Sequence, residues 1–171
     1  LDDQHASCEP LVIGAGARVP YRAPSFFNIS GMSYGALSQP AVRALSRGAR
    51  EAGVWLNTGA GGLRPFHLEG GCDVVFQIGT AKYGVRNPEG GLSDAKLREV
   101  AQNPLVKMFE LKLAQGAKPG KGGILPAEKV SAEIASIRGI PEGEASISPN
   151  RHPEIASFED LLDMIGHLRE V

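Results

Sequence analysis

The stretch that most constrains the fold lies between residues 108 and 123. Met108–Leu113 begins it, and the apolar residues in this segment predict a strand. Glu110 and Lys112 place charges on that strand, and a buried charge is costly unless it is paired or used. Four glycines, two lysines and a proline follow within residues 116–123. Leu125–Glu128 then begins a helix, with Pro126 in its first turn.

A strand, a glycine- and lysine-rich loop and a helix form a common arrangement for holding an anionic ligand above the carboxyl end of a strand. Glycine lets the backbone approach the ligand, and lysine supplies the positive charge. The alternative is a flexible, solvated turn without a ligand. The loop is not a Walker A motif, because the pattern GxxxxGK[ST] is absent.

Short apolar strands alternate with helices along the chain, which predicts an α/β fold with a parallel sheet. Residues 1–24 form a lead-in segment with a possible short strand at residues 11–13. Irregular segments are expected at residues 64–73 and 147–152. The predicted strands are residues 25–30, 54–57, 74–78 and 108–113, and the predicted helices are residues 38–53, 94–103, 128–138 and 157–171.

Glycine clusters follow the predicted strands, so polar residues are expected at one end of the sheet, as on the βα loops of a TIM barrel. Four strands with their helices amount to the N-terminal half of a (β/α)8 barrel, about four βα units. A half barrel has two open edges, which favour aggregation. We therefore expect the chain to be part of a longer protein, or to need a partner in an oligomer.

Charge and cysteine content narrow the class of protein. The net charge of −1 argues against binding to nucleic acid or to a membrane surface. No apolar run is long enough to span a membrane. Cys8 and Cys72 are too few for a disulfide scaffold or a metal site, so the reducing cytoplasm is the expected location.

Five motifs occur in a characteristic order and spacing, namely Gly31–Ser38, Asn57–Gly62, Gln77–Val85, Glu110–Gly123, and Ser148-Pro149 with His152. In that order and spacing they resemble the FMN-binding (β/α)8 domain of glutamate synthases, and the resemblance covers residues 25–171. The chain has Ala60 where the large enzymes usually carry Glu, and Lys82 where they usually carry Arg. In these two departures it is similar to the stand-alone FMN-binding glutamate synthase-like family.

The resemblance implies an oxidoreductase that reduces 2-iminoglutarate, formed from 2-oxoglutarate and ammonia, to L-glutamate with hydride from reduced FMN. It implies that Gln115 and Lys118 are the catalytic, substrate-contacting residues and that Arg138 also binds the substrate. A dianionic substrate needs such cationic contacts. It also implies that the flavin is bound by the backbone at Met32 and Ser33 together with Gln77 and Lys112.

The resemblance also implies partners and a second cofactor. The family uses an electron donor, either ferredoxin or an NAD(P)H-oxidising subunit, and glutamine use would need a glutaminase subunit. It carries a 3Fe–4S cluster on three cysteines, which Cys8 and Cys72 cannot replace. The family's flavin-edge lysine and its phosphate-binding loops fall beyond Val171, so this chain alone is not expected to retain FMN or turn over.

Several residues have two interpretations. His67 is expected to be a solvated loop histidine, with a functional role as the alternative, and His152 either faces the site or leads into a helix. Trp55 is expected in the core rather than as a stacking platform. Glu110 either pairs with Lys112 of a neighbouring layer or acts in the site.

Three alternative functions remain. The first is an N-methylglutamate synthase-type subunit, which would use methylamine in the same imine chemistry. The second is a non-catalytic half-barrel with a structural or regulatory role. The third is another FMN barrel, such as a 2-hydroxy-acid oxidase, and Gln115–Gly120 argues against it.

Overall fold

The computed structural model describes residues 9–116 and 118–171 of the chain. Single-turn 3-10 helices also occur at Gly59–Gly61 and Ala127–Lys129. The strands and helices are β1 (Leu11–Ile13), β2 (Tyr21–Ala23), α1 (Gln39–Ala52), β3 (Leu56–Asn57), α2 (Pro65–Leu68), β4 (Val74–Ile78), α3 (Asp94–Ala101), β5 (Val106–Leu111), β6 (Ile124–Leu125), α4 (Ala132–Arg138), β7 (Ser146–Ile147) and α5 (Phe158–Glu170).

A parallel sheet with the strand order β3-β4-β5 forms the centre of the structure, which confirms the predicted α/β fold with a parallel sheet. All five residues of β4 are buried, as expected for a central strand covered on both faces. Phe76 and Ile78 pack with Leu97 of α3 in one apolar cluster. Val74 packs with Ala49 of α1 in another.

The predicted strand at residues 25–30 is largely wrong, since only Ile29 forms a bridge, parallel to Leu56. The side chains of Ser25 and Asn28 explain the difference. The Ser25 hydroxyl accepts from the Phe27 N–H at 3.0 Å, and the Asn28 amide oxygen accepts from the Trp55 N–H at 3.1 Å. Such local bonds compete with a regular ladder. Sheet-like pairing is limited to the stretch from Ile29 to the bond between the Met32 N–H and the Asn57 carbonyl.

Three helices agree with the predictions, and the fourth does not. α1 ends at Gly53, which has a φ of 66°, and α3 and α5 are capped by Ser93 and Ser157. The predicted helix at residues 128–138 is wrong in its first part. Ser131 caps α4, because its hydroxyl accepts from the Ile134 N–H, so α4 begins only at Ala132 and the preceding turn is a separate 3-10 helix.

The short elements β6, β7 and α2 were not predicted, and one strand is displaced. β6 and β7 pair antiparallel in a segment expected to be helix start and loop, and α2 lies in a segment expected to be irregular. β5 covers Val106–Leu111 rather than residues 108–113. Runs of two strand residues or four helix residues are too short to leave a periodic pattern in the sequence.

β1 and β2 pair antiparallel within the lead-in segment, and β1 confirms the short strand expected at residues 11–13. The Tyr21 hydroxyl of β2 donates to the Asp73 carboxylate at 2.8 Å and so ties this hairpin to the start of β4. In α5, Leu168 packs on the Phe76 cluster, whereas Phe158 and Leu162 are exposed. Within the described ranges, none of the helices is long and apolar enough to cross a membrane.

Gly70 and Gly48 offer a matched test of the packing around α1. A Cβ at Gly70 would lie 2.3 Å from the carbonyl of Ser46, whereas a Cβ at Gly48, in α1, would meet open space. We expect Gly70→Ala to lower the free energy of unfolding by about 1–3 kcal/mol. We expect Gly48→Ala to raise it by about 0.5–1 kcal/mol. Denaturant unfolding of the intact protein measures both, and equal effects would contradict the described packing.

Candidate functional site

A cavity of about 680 Å³ lies at the carboxyl ends of the parallel strands. Its wall combines residues from the segment 26–36, from β3, β4 and β5 at their carboxyl ends, and from α4. It also includes residues of the glycine- and lysine-rich segment 112–123 after β5, here termed the glycine-lysine loop. Apolar contacts come from Phe26, Trp55, Ile124 and Leu125. The polar and charged side chains in the wall are those of Asn28, Ser30, Ser33, Asn57, Gln77, Tyr83, Glu110, Lys112, Gln115, Lys118, Arg138 and Ser148.

Glycines let two of these loops close on each other. A Cβ at Gly61 would lie 2.3 Å from the Ser33 hydroxyl oxygen, and one at Gly59 would lie 2.7 Å from the Ser33 backbone nitrogen. Gly59 also has a φ of +65°, which an L side chain rarely adopts. Asn57 supports this turn, since its amide oxygen accepts from the Gly59 N–H at 2.9 Å. Glycine is therefore required where Ser33 enters the cavity wall.

Gln77 and Glu110 are opposite each other in the β4–β5 register. The Gln77 side-chain amide donates to the Glu110 carboxylate. Glu110 therefore pairs with Gln77 of the neighbouring strand, and the described residues show no ion pair between Glu110 and Lys112. Glu110 also lines the cavity, and its action in the site stays a prediction. An ionised carboxylate can only accept, so the NH2 group of the Gln77 amide must face Glu110, and this contact fixes the orientation of the amide.

Arg138 is the most buried cation in the cavity wall, with 7% of its surface exposed. Its Nη1 donates to the Ser146 hydroxyl at 2.9 Å, and its guanidinium lies 4.8 Å from the centre of the Tyr83 ring. Burial lowers the pKa of Arg138. Within the described ranges, Arg138 pairs with no carboxylate and its Nε lacks a hydrogen-bond partner.

The cavity brings together six of the seven residues proposed from the resemblance, namely Ser33, Gln77, Lys112, Gln115, Lys118 and Arg138. Met32 is the exception, because its side chain packs on the cluster around Leu56. Both of its backbone groups are engaged, since its N–H donates to the Asn57 carbonyl and its carbonyl accepts from His67. The location of these residues is thus described, whereas their functional roles stay predictions.

His67 is not solvated, so that prediction is wrong. It is fully buried, and its Nδ1 accepts from the Arg64 N–H at 3.1 Å, which leaves the proton on Nε2 to be donated to the Met32 carbonyl at 2.9 Å. His152 is also buried, and its Nε2 lies 2.9 Å from the Lys112 carbonyl. Both histidines therefore hold backbone beside the cavity, and neither is among the residues that line it.

The sequence analysis did not identify Tyr83 and Asn57 as residues of the cavity wall, and it placed Trp55 in the core. Trp55 is half-buried and lines the cavity, and its ring centre lies 6.3 Å from that of Tyr21 in a tilted arrangement, so it is only partly in the core. Asn57 could have been found, since it is the polar end of a predicted strand. No local signal distinguishes Tyr83, whose position depends on its contact with Ser146.

Ala60 and Lys82, the two residues that differ from the usual pattern of the large enzymes, lie in different places. Ala60 lines the cavity. Lys82 lies outside it, where its buried ammonium pairs with Glu154 at 2.8 Å, and its φ of 53° is unusual for a residue other than glycine.

The described residues include no group of three His, Cys, Asp or Glu side chains that could hold a metal ion. Cys72 is buried as a free thiol in the described part of the chain. Cys8 lies outside the described residues.

Residues 9–171 match a family model described as "Conserved region in glutamate synthase". A "Glutamate synthase large subunit-like protein YerD" of Bacillus subtilis is 44% identical over 153 residues, which are 89% of this chain and 29% of that protein. An "Archaeal-type glutamate synthase (NADPH)" of Dehalococcoides mccartyi is 40% identical over 141 residues, which are 82% of this chain and 26% of that protein.

A "Glutamate synthase large subunit-like protein" of Rhizobium meliloti is 35% identical over 173 residues, covering 100% of this chain and 36% of that protein. The chain thus spans between 26% and 36% of the length of these three relatives.

The two buried histidines predict a loss of stability in acid. Burial lowers the pKa of His67 and of His152 below the ordinary value of 6.5, so the unfolded chain takes up protons at a pH where the folded chain does not. The free energy of unfolding should therefore be fully present above about pH 6.5 and fall as the pH drops towards the folded pKa values.

Denaturant unfolding of the intact protein between about pH 8 and about pH 5 measures this loss. The matched variant is His67→Gln, whose amide can donate and accept but does not titrate. Its unfolding free energy should depend less steeply on pH than that of the wild type. Parallel curves for the two proteins would contradict a neutral, buried His67.

Proposed function

This chain belongs to the glutamate synthase family, and from that premise we propose that it forms part of an FMN-dependent oxidoreductase that reduces 2-iminoglutarate, formed from 2-oxoglutarate and ammonia, to L-glutamate. The observation that carries the proposal is the buried guanidinium of Arg138 in the cavity wall. A buried cation without an acidic partner is costly, and a bound carboxylate would remove that cost.

The charges of the cavity suit a dianion such as 2-oxoglutarate. Among the described residues, three cationic side chains, those of Lys112, Lys118 and Arg138, line it with a single carboxylate, that of Glu110. Gln115 adds an amide that can donate to a carboxylate oxygen. We assign Gln115, Lys118 and Arg138 to the two carboxylates of the substrate, with Gln115 and Lys118 as the catalytic, substrate-contacting residues.

FMN fits the remaining donor set. Ser33 follows the parallel bridge at Ile29, Gln77 lies on β4, and Lys112 follows β5, so their polar groups come from neighbouring parts of the sheet. The cavity volume lies within the roughly 300–1,000 Å³ usual for cofactor sites. When bound, FMN would supply the hydride that the imine needs. The role of these side chains is to bind and orient, with Glu110 holding the Gln77 amide in one orientation.

We also propose that the sheet is the first part of a (β/α)8 barrel. Three parallel strands, a parallel bridge at Ile29 and a polar cavity at their carboxyl ends support it. The name of the Dehalococcoides mccartyi relative, an archaeal-type glutamate synthase (NADPH), suggests an NADPH-linked donor. Ferredoxin is the alternative electron donor. A glutaminase subunit and a 3Fe–4S cluster are further components that the resemblance implies for the whole enzyme.

The direct test uses the intact protein that contains this chain. We expect a flavin absorbance spectrum that persists through desalting, and glutamate formation from 2-oxoglutarate and ammonia with a reduced electron donor. Methylamine in place of ammonia, with detection of N-methylglutamate, separates the two amine substrates. A colourless protein that makes neither amino acid would refute the enzymatic proposal.

Lys118→Ala is expected to raise the KM for 2-oxoglutarate by about tenfold or more, because one charge-assisted contact of about 1.5–3 kcal/mol is lost. Lys121→Ala is the matched control, since Lys121 is an exposed lysine of the same loop that does not line the cavity. Steady-state kinetics of the intact enzyme compare the two. A KM equal to that of Lys121→Ala would remove Lys118 from the substrate site.

A further inference from the structure

The Arg138 guanidinium is held by two residues to which the resemblance gives no role. Ser146, on β7, is 3% exposed, and its hydroxyl accepts from Arg138 Nη1 at 2.9 Å. The same hydroxyl shares a hydrogen bond of 2.6 Å with the Tyr83 hydroxyl. Tyr83 is 4% exposed, and its ring covers the guanidinium at 4.8 Å. Both contacts are buried, so water competes poorly for them.

These contacts leave one side of the Arg138 guanidinium available to bind a ligand. Ser146 occupies Nη1, and the Tyr83 ring covers a face. Two glycines lie beside Nη2, since Cβ atoms added at Gly35 and Gly61 would lie 3.5 and 3.4 Å from it, and Arg138 itself lines the cavity. A guanidinium binds a carboxylate best through two parallel N–H groups in its plane, so the orientation of that plane decides the strength of the contact.

We propose that Tyr83 and Ser146 are positioning residues of an anion subsite, which hold the plane of Arg138 so that it meets one carboxylate of a dicarboxylate ligand. The identity of that ligand as 2-oxoglutarate rests on the proposed function, whereas the positioning itself does not. The two residues act through Arg138, and the hydroxyl pair couples them, so the loss of either hydroxyl should release the same guanidinium.

Tyr34 provides a matched control, because its hydroxyl contacts α4, the helix that also carries Arg138. Its hydroxyl donates to Glu133 of α4 at 2.7 Å, so Tyr34→Phe also removes a tyrosine hydroxyl that contacts α4. Tyr34 does not line the cavity, and its hydroxyl does not contact Arg138. Tyr83→Phe keeps the ring over Arg138 and removes only the hydroxyl.

The experiment has two readouts on the intact protein. Calorimetric titration with 2-oxoglutarate gives the Kd. The rate of phenylglyoxal labelling of Arg138, quantified by peptide mass, measures without any ligand how firmly the guanidinium is held in place. We expect Tyr83→Phe and Ser146→Ala each to raise the Kd about tenfold and to speed the labelling, with Tyr34→Phe like wild type. In an Arg138→Ala background, both changes should alter the Kd less than about twofold.

The outcomes separate this inference from the proposed function. If wild-type protein binds no 2-oxoglutarate, the proposed ligand is wrong, and faster labelling of Arg138 in Tyr83→Phe and Ser146→Ala alone would still support positioning. If wild type binds and either variant keeps its Kd, the inference is overturned. Losses that persist in the Arg138→Ala background, or labelling rates equal to wild type, would also overturn it.

Discussion

The burial of β4 on both faces is the constraint on which the rest of the structure depends. A strand covered on both sides must be apolar along its length, and Val74, Val75, Phe76 and Ile78 meet that demand. Gln77 is the single polar residue of the strand, and it is also buried. Its amide can be tolerated there because Glu110 of the neighbouring strand accepts from it. The same strand thus organises two apolar clusters and supplies one polar group to the cavity.

The predictability of each element follows from its length and its surroundings. β4 and α1 were predicted well, because a continuous apolar run and a helical repeat that ends at a glycine are local signals. The segment at residues 25–30 looked like a strand in composition, but the hydrogen bonds of Ser25 and Asn28 decided otherwise. β6 and β7 depend on a pairing between segments far apart in the sequence, which no local pattern reveals.

In the cavity, too, features with a local sequence signal were predicted and features that depend on tertiary contacts were not. Residues at strand ends and in the glycine-lysine loop were predicted to lie together, and Gln77, Lys112 and Lys118 do line one cavity. The prediction that His67 is solvated was wrong because its burial depends on contacts with Met32 and with the backbone of Arg64. A motif therefore indicates which side chains meet in the cavity, whereas the residues that hold them in place emerge from tertiary contacts.

The glycine-lysine loop after β5 is fastened at both ends. The Lys112 carbonyl bonds to His152 at 2.9 Å, and the Gly123 carbonyl accepts from the Ser148 N–H, also at 2.9 Å. Closing a segment at both ends lowers the conformational entropy that its residues can still lose. If Gln115 and Lys118 bind the proposed substrate, ordering them around it would cost less entropy, and residues 148–152 would then favour binding without touching the ligand.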